Sequence, residues 1–521
     1  MKKTIALTGV SGAMGGEVLL ALMKADERFN VRCILRNKPA FVKKILKKYG
    51  DRIFAFKGDV FVYEDCVKLI EGADYVINCA SLIPPKADHN PDGAYRANYI
   101  GTKNLVDAIL ASGRENEIAY VHISTVAVYG NRAYPHIWGR VGDPVIISDY
   151  DVYGLNKLKA EKYVLESGLP RFVCLRQTGI LHKYMFKNNL KDGLMFHTTW
   201  NGALEWVTDG DSGRMCANIV KYDCERSLDG FWNRIYNVGG GKDCRYTGFE
   251  VMDRCFRLIA IGKNGGVRKY FKPNWNATRN FHGMWFYDSD ELENFLHFRS
   301  ETVEDFWIKT GKKHRYFKLG GLIPAPLLSK IVLKRLFKNN NSPVYWAKHG
   351  KEGRVKAFFG GREKYESLPK NWKDFPLLCE GKTEDGKEID YRALKDADNS
   401  APLLLDHGYD ENKPLSELGL CDLSEAAEFR GGKCLAKHYE KGKLFEKVLW
   451  KCREGHEFTL TPYTVLKGGY WCPHCCEPKP WKYGAIADIP FYGQVYFDSH
   501  DESEINDVYP LSEHEDDFIK I

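Results

Sequence analysis

The sequence predicts an α/β chain built on a doubly wound parallel sheet, with a lobe inserted after it and a small cysteine-rich unit near its C-terminal end. Three observations carry that expectation. From Lys2 to Arg176 short β-branched runs alternate with longer amphipathic stretches, the pattern of βαβ units feeding a parallel sheet. From Leu181 to Thr310 that rhythm is lost, and Trp200, Trp206, Trp232, Trp275 and Trp285 are spread through the stretch. Past residue 430 the cysteines, scattered singly until then, are bunched.

The expected strands are residues 4–8, 31–35, 53–56, 75–78, 119–123 and 172–175, and the helices between them include 15–23 and 94–111. These make a nucleotide-binding unit over 1–180, followed by a substrate-binding lobe over 181–318. Residues 319–400 are expected to be an amphipathic segment and a linker. Within them 319–338, LGGLIPAPLLSKIVLKRLFK, mixes apolar residues with Lys330, Lys334, Arg335 and Lys338. Such a helix can touch a membrane surface from outside, or pack on its own domain with its lysines outward. The turn-rich stretch 352–402 is the expected linker. A metal-binding module spans 401–490, and 491–521 forms an acidic tail.

Composition bounds the class. At 521 residues the chain is long enough for about three domains. Hydrophobic residues at 44% and charged residues at 28% are ordinary globular values. With 76 Lys+Arg against 69 Asp+Glu the net charge is +7, too small for a nucleic-acid coat over the whole surface. No uncharged apolar run is long enough for a transmembrane helix, and the apolar run after Met1-Lys2-Lys3 is too short for a signal peptide. An odd count of 15 cysteines argues for reduced thiols plus one metal site, and so for a cytoplasmic protein.

The first strand runs into Gly9-Val10-Ser11-Gly12-Ala13-Met14-Gly15, a G-x-x-G-x-x-G turn that opens a helix. Glycines there let the backbone approach a pyrophosphate, which the free N–H groups of the helix N-terminus attract, as in a Rossmann fold. About 20 residues on, where an NAD site places an acid for the ribose 2′-hydroxyl, stand Leu35-Arg36-Asn37-Lys38. Cations at that point suit a 2′-phosphate, so the expected cofactor is NADP(H), with Arg36 as its reader and NAD(H) as the lesser choice. Asp59 and Val60 after the third strand, and Cys79, Ala80 and Ser81 after the fourth, stand at strand C-terminal ends, where ligands of such sheets collect.

After the fifth strand comes Ser124-Thr125-Val126-Ala127-Val128-Tyr129-Gly130, and later Tyr153-Gly154-Leu155-Asn156-Lys157. Tyr153 and Lys157, four apart, share one helix face. An ammonium beside a phenol stabilises the phenolate, which suits proton transfer at a carbinol, and Thr125 can hold the substrate oxygen in line.

TGVSGAMGG, GDV, NCAS, STVAVYG and YGLNK, in that order over the first 180 residues, resemble the extended short-chain dehydrogenases/reductases. That branch includes NAD(P)-dependent epimerases, dehydratases and 3β-hydroxysteroid dehydrogenases. The resemblance implies Thr125 in the family's Ser/Thr position and Tyr153 as acid/base. It implies Lys157 orienting the ribose and lowering the tyrosine pKa, and a mainly structural Asn98. Sugar-nucleotide 4,6-dehydratases of the branch carry an acidic pair where this chain has Val126 and Ala127, and the family's R-x-x-N-x-Y-G-P run is replaced by Leu175-Arg176-Gln177-Thr178-Gly179-Ile180. Those departures favour net oxidation or reduction of a secondary alcohol or ketone, with the aromatic lobe suggesting an apolar or steroid-like ring.

Near the C-terminus Cys452-x3-His456 is followed, fifteen residues on, by Cys472-x2-Cys475. Two short knuckles supplying four soft ligands suit a closed tetrahedral Zn2+ site, with Cys476 or His474 as substitutes. GGKCL, W-x-C-x-x-GH and WCPxC resemble treble-clef or ribbon-like zinc modules, in which Cys434 belongs to the pattern without an evident ligand role. Such a module scaffolds, dimerises or binds a partner. Around it Lys433, Lys437, Lys441, Lys443, Lys447, Lys451 and Arg453 form a basic stretch. Two alternatives therefore stand beside the oxidoreductase: an NAD-dependent nucleotide-sugar epimerase, and a nucleotide sensor whose zinc module binds nucleic acid or protein.

Overall fold

A computed structural model of the protein describes residues 2–183, 185, 192–260, 266–314, 324, 327, 333–397, 401–476 and 488–504. Seven strands, β1 (Lys3–Leu7), β2 (Phe29–Leu35), β3 (Ile53–Lys57), β4 (Tyr75–Asn78), β5 (Ala119–Thr125), β6 (Phe172–Gln177) and β7 (Arg234–Val238), form one sheet in the order β7-β6-β5-β4-β1-β2-β3. Every pairing is parallel. Covered on both faces, the strands are apolar runs rather than alternating ones, and all seven residues of β5 are buried. Leu7 pairs with Cys33 on one side and Ile77 on the other, so the strand order reverses between β1 and β4. A crevice opens at such a switch point beyond the strands' carboxyl ends.

The doubly wound sheet stands as expected, with three corrections. Strands β5 and β6 run two residues further than their apolar pattern indicates, because Ser124 pairs with Arg176 and Thr125 with Gln177 in the ladder. These polar residues are tolerated there because the Glu161 carboxylate bonds both Ser124 and Arg176. The sheet does not end near residue 180 either. Its edge strand β7 comes from the stretch assigned to the lobe, as does helix α6 (Asp209–Arg226), which packs on α1 (Ala13–Ala25) so closely that a Cβ at Gly213 would meet the Glu17 carbonyl carbon at 2.8 Å. The stretch 352–402 is not a plain linker, since helix Glu352–Phe359 buries Val355, Ala357, Phe358 and Phe359 against Trp346. A few large side chains hold it, too few to show a period.

On the other face, the core under α3 (Tyr63–Ile70), α4 (Gly101–Leu110) and α5 (Val152–Glu166) continues without a break into the C-terminal unit, through Tyr470, Trp450, Trp471 and Phe491. That unit carries an antiparallel sheet of β8 (Lys433–Cys434), β9 (Val448–Lys451) and β10 (Glu457–Leu460). His407 bridges it to the first domain, with Nε2 2.8 Å from Asp143 and Nδ1 2.7 Å from Glu411. The basic segment 319–338 is described at 324, 327 and 333–338, where Leu333 and Leu336 are buried beside Phe196 and Trp200; the rest of it, and the tail past 504, lie outside the described residues. All 15 cysteines are unpaired. Among the described residues no helix is long and apolar enough to cross a membrane.

Candidate active site and metal centre

The glycine turn occupies the switch point. Thr8 ties the two strands together: its N–H donates to the Ile77 carbonyl at 3.1 Å, its hydroxyl to Asn78 Oδ1 at 2.7 Å, and that hydroxyl accepts from Ala80 N at 2.9 Å. Gly9, at φ 72°, passes so near β4 that a Cβ would sit 2.5 Å from the Cys79 carbonyl carbon. A Cβ on Gly15 would meet the Gly9 oxygen at 2.3 Å. Gly12 caps α1 with no side chain to occupy its first N–H groups. These features leave an anion cradle that side chains would fill.

From the cradle a cavity of 710 Å³ runs to the start of α5. It brings together Gly9, Gly12, Ala13, Met14, Gly15, Cys79, Ser81, Thr125, Tyr153 and Lys157. Ser11, Arg36, Asp59, Val60 and Ala80 are not on its wall. Ser11 is exposed. Val60 is a packing residue under Gly101, and its carbonyl accepts from Asn104 Nδ2 at 3.1 Å. Arg36 stands outside in solvent, with Nε 3.6 Å from Asp59 Oδ2.

Asp151 caps α5, accepting the Gly154 N–H at 2.7 Å, and sets Tyr153 and Lys157 on the face toward β5. The Tyr153 phenol is hydrogen-bonded by the Thr125 and Ser81 hydroxyls. Burial pushes the phenol up to about 12, against those two hydroxyls. Lys157 is buried and donates to the Ile123 carbonyl. Burial lowers its ammonium to about 8, while Glu161 acts to raise it. Asn98 holds the loop after β4, with Oδ1 accepting from Leu82 N at 2.7 Å and Ser81 Oγ at 3.1 Å, and Nδ2 donating to the Leu82 carbonyl at 3.0 Å.

The far end of the cavity was missed in the sequence. Asp88, His197, Asn280, His282, Asn341 and Arg354 line it, from segments up to 266 residues apart. Burial raises Asp88 to about 7 and Asp151 to about 6, and lowers His197 and His282 to about 4. No motif joins these positions; only the Asp151 cap, three residues before Gly154, carried a local signal. Of the five tryptophans in the lobe, Trp206 alone is on the wall. Trp200 and Trp285 are core residues, and Trp232 lies under the Arg171 guanidinium.

Some distance away, donor atoms of Cys452, His456, Cys472 and Cys475 lie within 4.8 Å of one another. His456 Nδ1 is 3.4 Å from Cys452 Sγ, 3.3 Å from Cys475 Sγ and 3.8 Å from Cys472 Sγ; the Cys452 and Cys475 sulfurs are 3.7 Å apart. A tetrahedron with metal–ligand bonds of about 2.0–2.3 Å has edges of about 3.5–3.8 Å, so the donor set fits one. Hydrogen bonding from the Cys475 thiol lowers the Cys472 thiol to about 5. Cys476 is engaged with the Tyr492 hydroxyl at 3.3 Å, and the cluster contains neither it nor His474.

The fold and the Tyr–Lys pair beside a glycine cradle define a Rossmann-type, dinucleotide-binding segment. Residues 5–177 match the model of the NAD dependent epimerase/dehydratase family, so the resemblance read from the motifs holds over that segment. The chain is 27% identical over 189 residues to human 3 beta-hydroxysteroid dehydrogenase type 7, covering 34% of this chain and 50% of that one. It is 28% identical over 183 residues to UDP-glucose 4-epimerase of Mycoplasma genitalium, covering 34% and 52%. The chain thus spans about half the length of the curated relatives it matches. A solved dTDP-glucose 4,6-dehydratase from Bacillus anthracis in complex with NAD is similar at 17% identity and a TM-score of 0.45, over 60% of this chain and 98% of that one.

Proposed function

We propose that this protein is a cytoplasmic, NADP(H)-dependent oxidoreductase that interconverts a ketone and a secondary alcohol. The observation that carries the reading is Tyr153, with Lys157 one turn on, bonded by Thr125 and Ser81 at the end of the cavity that begins at the glycine cradle. The cradle, Lys157 and Arg36 would hold the dinucleotide, which when bound supplies or accepts the hydride. Tyr153 gives a proton to the substrate oxygen during reduction, and Thr125 and Ser81 hold that oxygen in line. Lys157 stabilises the phenolate left behind. Arg36 and Lys38, with no acid at the end of β2, support the 2′-phosphate. Val126 and Ala127, both buried, offer no group to eliminate water. An apolar ring of the steroid type draws support from the human relative's name and from Val152, Met195, Trp206 and Phe358 on the wall. The Cys452, His456, Cys472 and Cys475 cluster holds a structural Zn2+, with every position filled by protein.

The test is affinity for NADPH against NADH on protein freed of endogenous cofactor. A preference for exchangeable NADPH of about tenfold supports the reading. Asp59 favours a second reading, because its carboxylate already faces Arg36. In that reading the protein is an NAD-dependent nucleotide-sugar epimerase, in keeping with the Mycoplasma relative's name. Co-purifying NAD that only acid releases would decide for it.

A further inference from the structure

The C-terminal unit grips α5, the helix of Tyr153 and Lys157, at two places. At its end the Glu166 carboxylate accepts from Thr461 N at 3.0 Å, Thr461 Oγ1 at 2.9 Å and Thr464 Oγ1 at 2.5 Å. Near its middle the Tyr470 hydroxyl is 3.0 Å from both the Leu158 carbonyl and Glu161 Oε1. Glu161 is fully buried and stands one turn beyond Lys157. Its carboxylate also accepts from Ser124 of β5 and from Arg176 of β6, with Arg176 Nη2 at 2.7 Å. Arg176, likewise fully buried, donates onward to the Tyr129 hydroxyl and the Gly468 carbonyl, both at 2.7 Å.

A buried ion pair keeps one geometry only when its remaining lone pairs and protons are satisfied. Here Tyr470 and Gly468 complete the set, and both belong to the run that enters Cys472. They lie outside the family-matched segment 5–177, whereas Ser124, Glu161 and Arg176 lie inside it. We propose that Tyr470 is a positioning residue: by fixing Glu161 it fixes α5 at Lys157, and so makes the Cys/His unit part of the active site's support. The proposal rests on the reading of Lys157 as a cofactor contact. It also gives the metal a purpose, since an ion that holds Cys472 and Cys475 holds the backbone that presents Tyr470.

The test uses the full-length, metal-loaded protein carrying Tyr470→Phe, which keeps the ring and removes the hydroxyl. NADPH affinity, hydrogen exchange along 152–166 and the thermal midpoint are measured together. The expected result is an NADPH affinity lower by about tenfold, faster exchange centred on Lys157–Glu161, and a midpoint close to wild type. Thr464→Val is the control: it loosens the end of α5 and leaves NADPH affinity unchanged. Chelating the metal from wild type reproduces the Tyr470→Phe exchange pattern. Normal NADPH affinity with normal α5 exchange in Tyr470→Phe overturns the proposal, as does exchange that rises evenly across the whole sheet and its helices. If wild type binds neither NADPH nor NADH, the cofactor reading fails, and α5 exchange alone decides whether Tyr470 holds the helix.

Discussion

Lys157 donates its ammonium to the Ile123 carbonyl, so the helix that carries the acid/base tyrosine is pinned to the end of β5, two residues before Thr125. Burial brings that ammonium down to about 8, with Glu161 holding it up. The sign of the pH dependence follows. Below that pH Lys157 is charged and supports the phenolate that Tyr153 becomes on giving up its proton. As pH rises through about 8 the charge is lost and so is the support. Ketone reduction should therefore be level on the acid side and fall on the alkaline side, as read from kcat/KM against pH. A reductase rate still climbing well above that pH would contradict this role for Lys157.

Removing the Tyr153 hydroxyl tests the chemistry apart from binding. Tyr153→Phe should lower kcat by at least about 10²–10⁴-fold, the usual worth of a positioned acid or base. NADPH affinity should hardly change, because the cradle at Gly9, Gly12 and Gly15 is untouched. Gly15→Ala should do the reverse: its new Cβ would meet the Gly9 oxygen at 2.3 Å, so cofactor binding is lost. Equilibrium titration with NADPH separates the two variants.

Arg36 and Asp59 form an exposed pair at 3.6 Å, and a pair so open to water is weak. A 2′-phosphate can therefore draw Arg36 away. Arg36→Ala should cut NADPH affinity by about tenfold and leave NADH nearly unchanged, while Asp59→Asn should shift preference further toward NADPH. Equal losses for both cofactors in Arg36→Ala would remove Arg36 as the reader.

The Glu161–Arg176 pair predicts a large stability effect. Arg176→Met leaves the Glu161 carboxylate buried without its cation and should cost about 3–5 kcal/mol, read from urea unfolding. Adding Glu161→Leu should recover much of that loss, because the buried charge is then gone as well.

The sheet and the chemistry at its carboxyl edge were legible in the sequence because both are local. Runs such as Tyr75–Asn78 announce buried parallel strands, the glycine turn follows β1 directly, and Tyr153 and Lys157 share one helix. The metal ligands were legible for the same reason, in two knuckles of fixed spacing. The substrate end was not. Asp88, His282 and Arg354 meet only in three dimensions, and Arg354 comes from a stretch whose turn-rich composition resembles a linker. The seventh strand was hidden too, because Arg234–Val238 lies past the point where the βαβ rhythm stops. The union of the C-terminal unit with the sheet was likewise out of reach, since it depends on single residues such as Tyr470 and His407 making contacts hundreds of positions away.

Metal removal gives the last expectation. The four donor atoms around Cys452, His456, Cys472 and Cys475 bracket tetrahedral edge lengths, and three of the four residues are buried. Purified protein should carry one zinc per chain by elemental analysis. Because the core around Trp450 and Trp471 is continuous with the sheet under α5, chelation should do more than melt a peripheral knob. It should lower the thermal midpoint of the whole first domain, and so should Cys475→Ser. A separate low-temperature transition, with the main one unmoved, would show that the C-terminal unit unfolds on its own and that its packing against α5 contributes little.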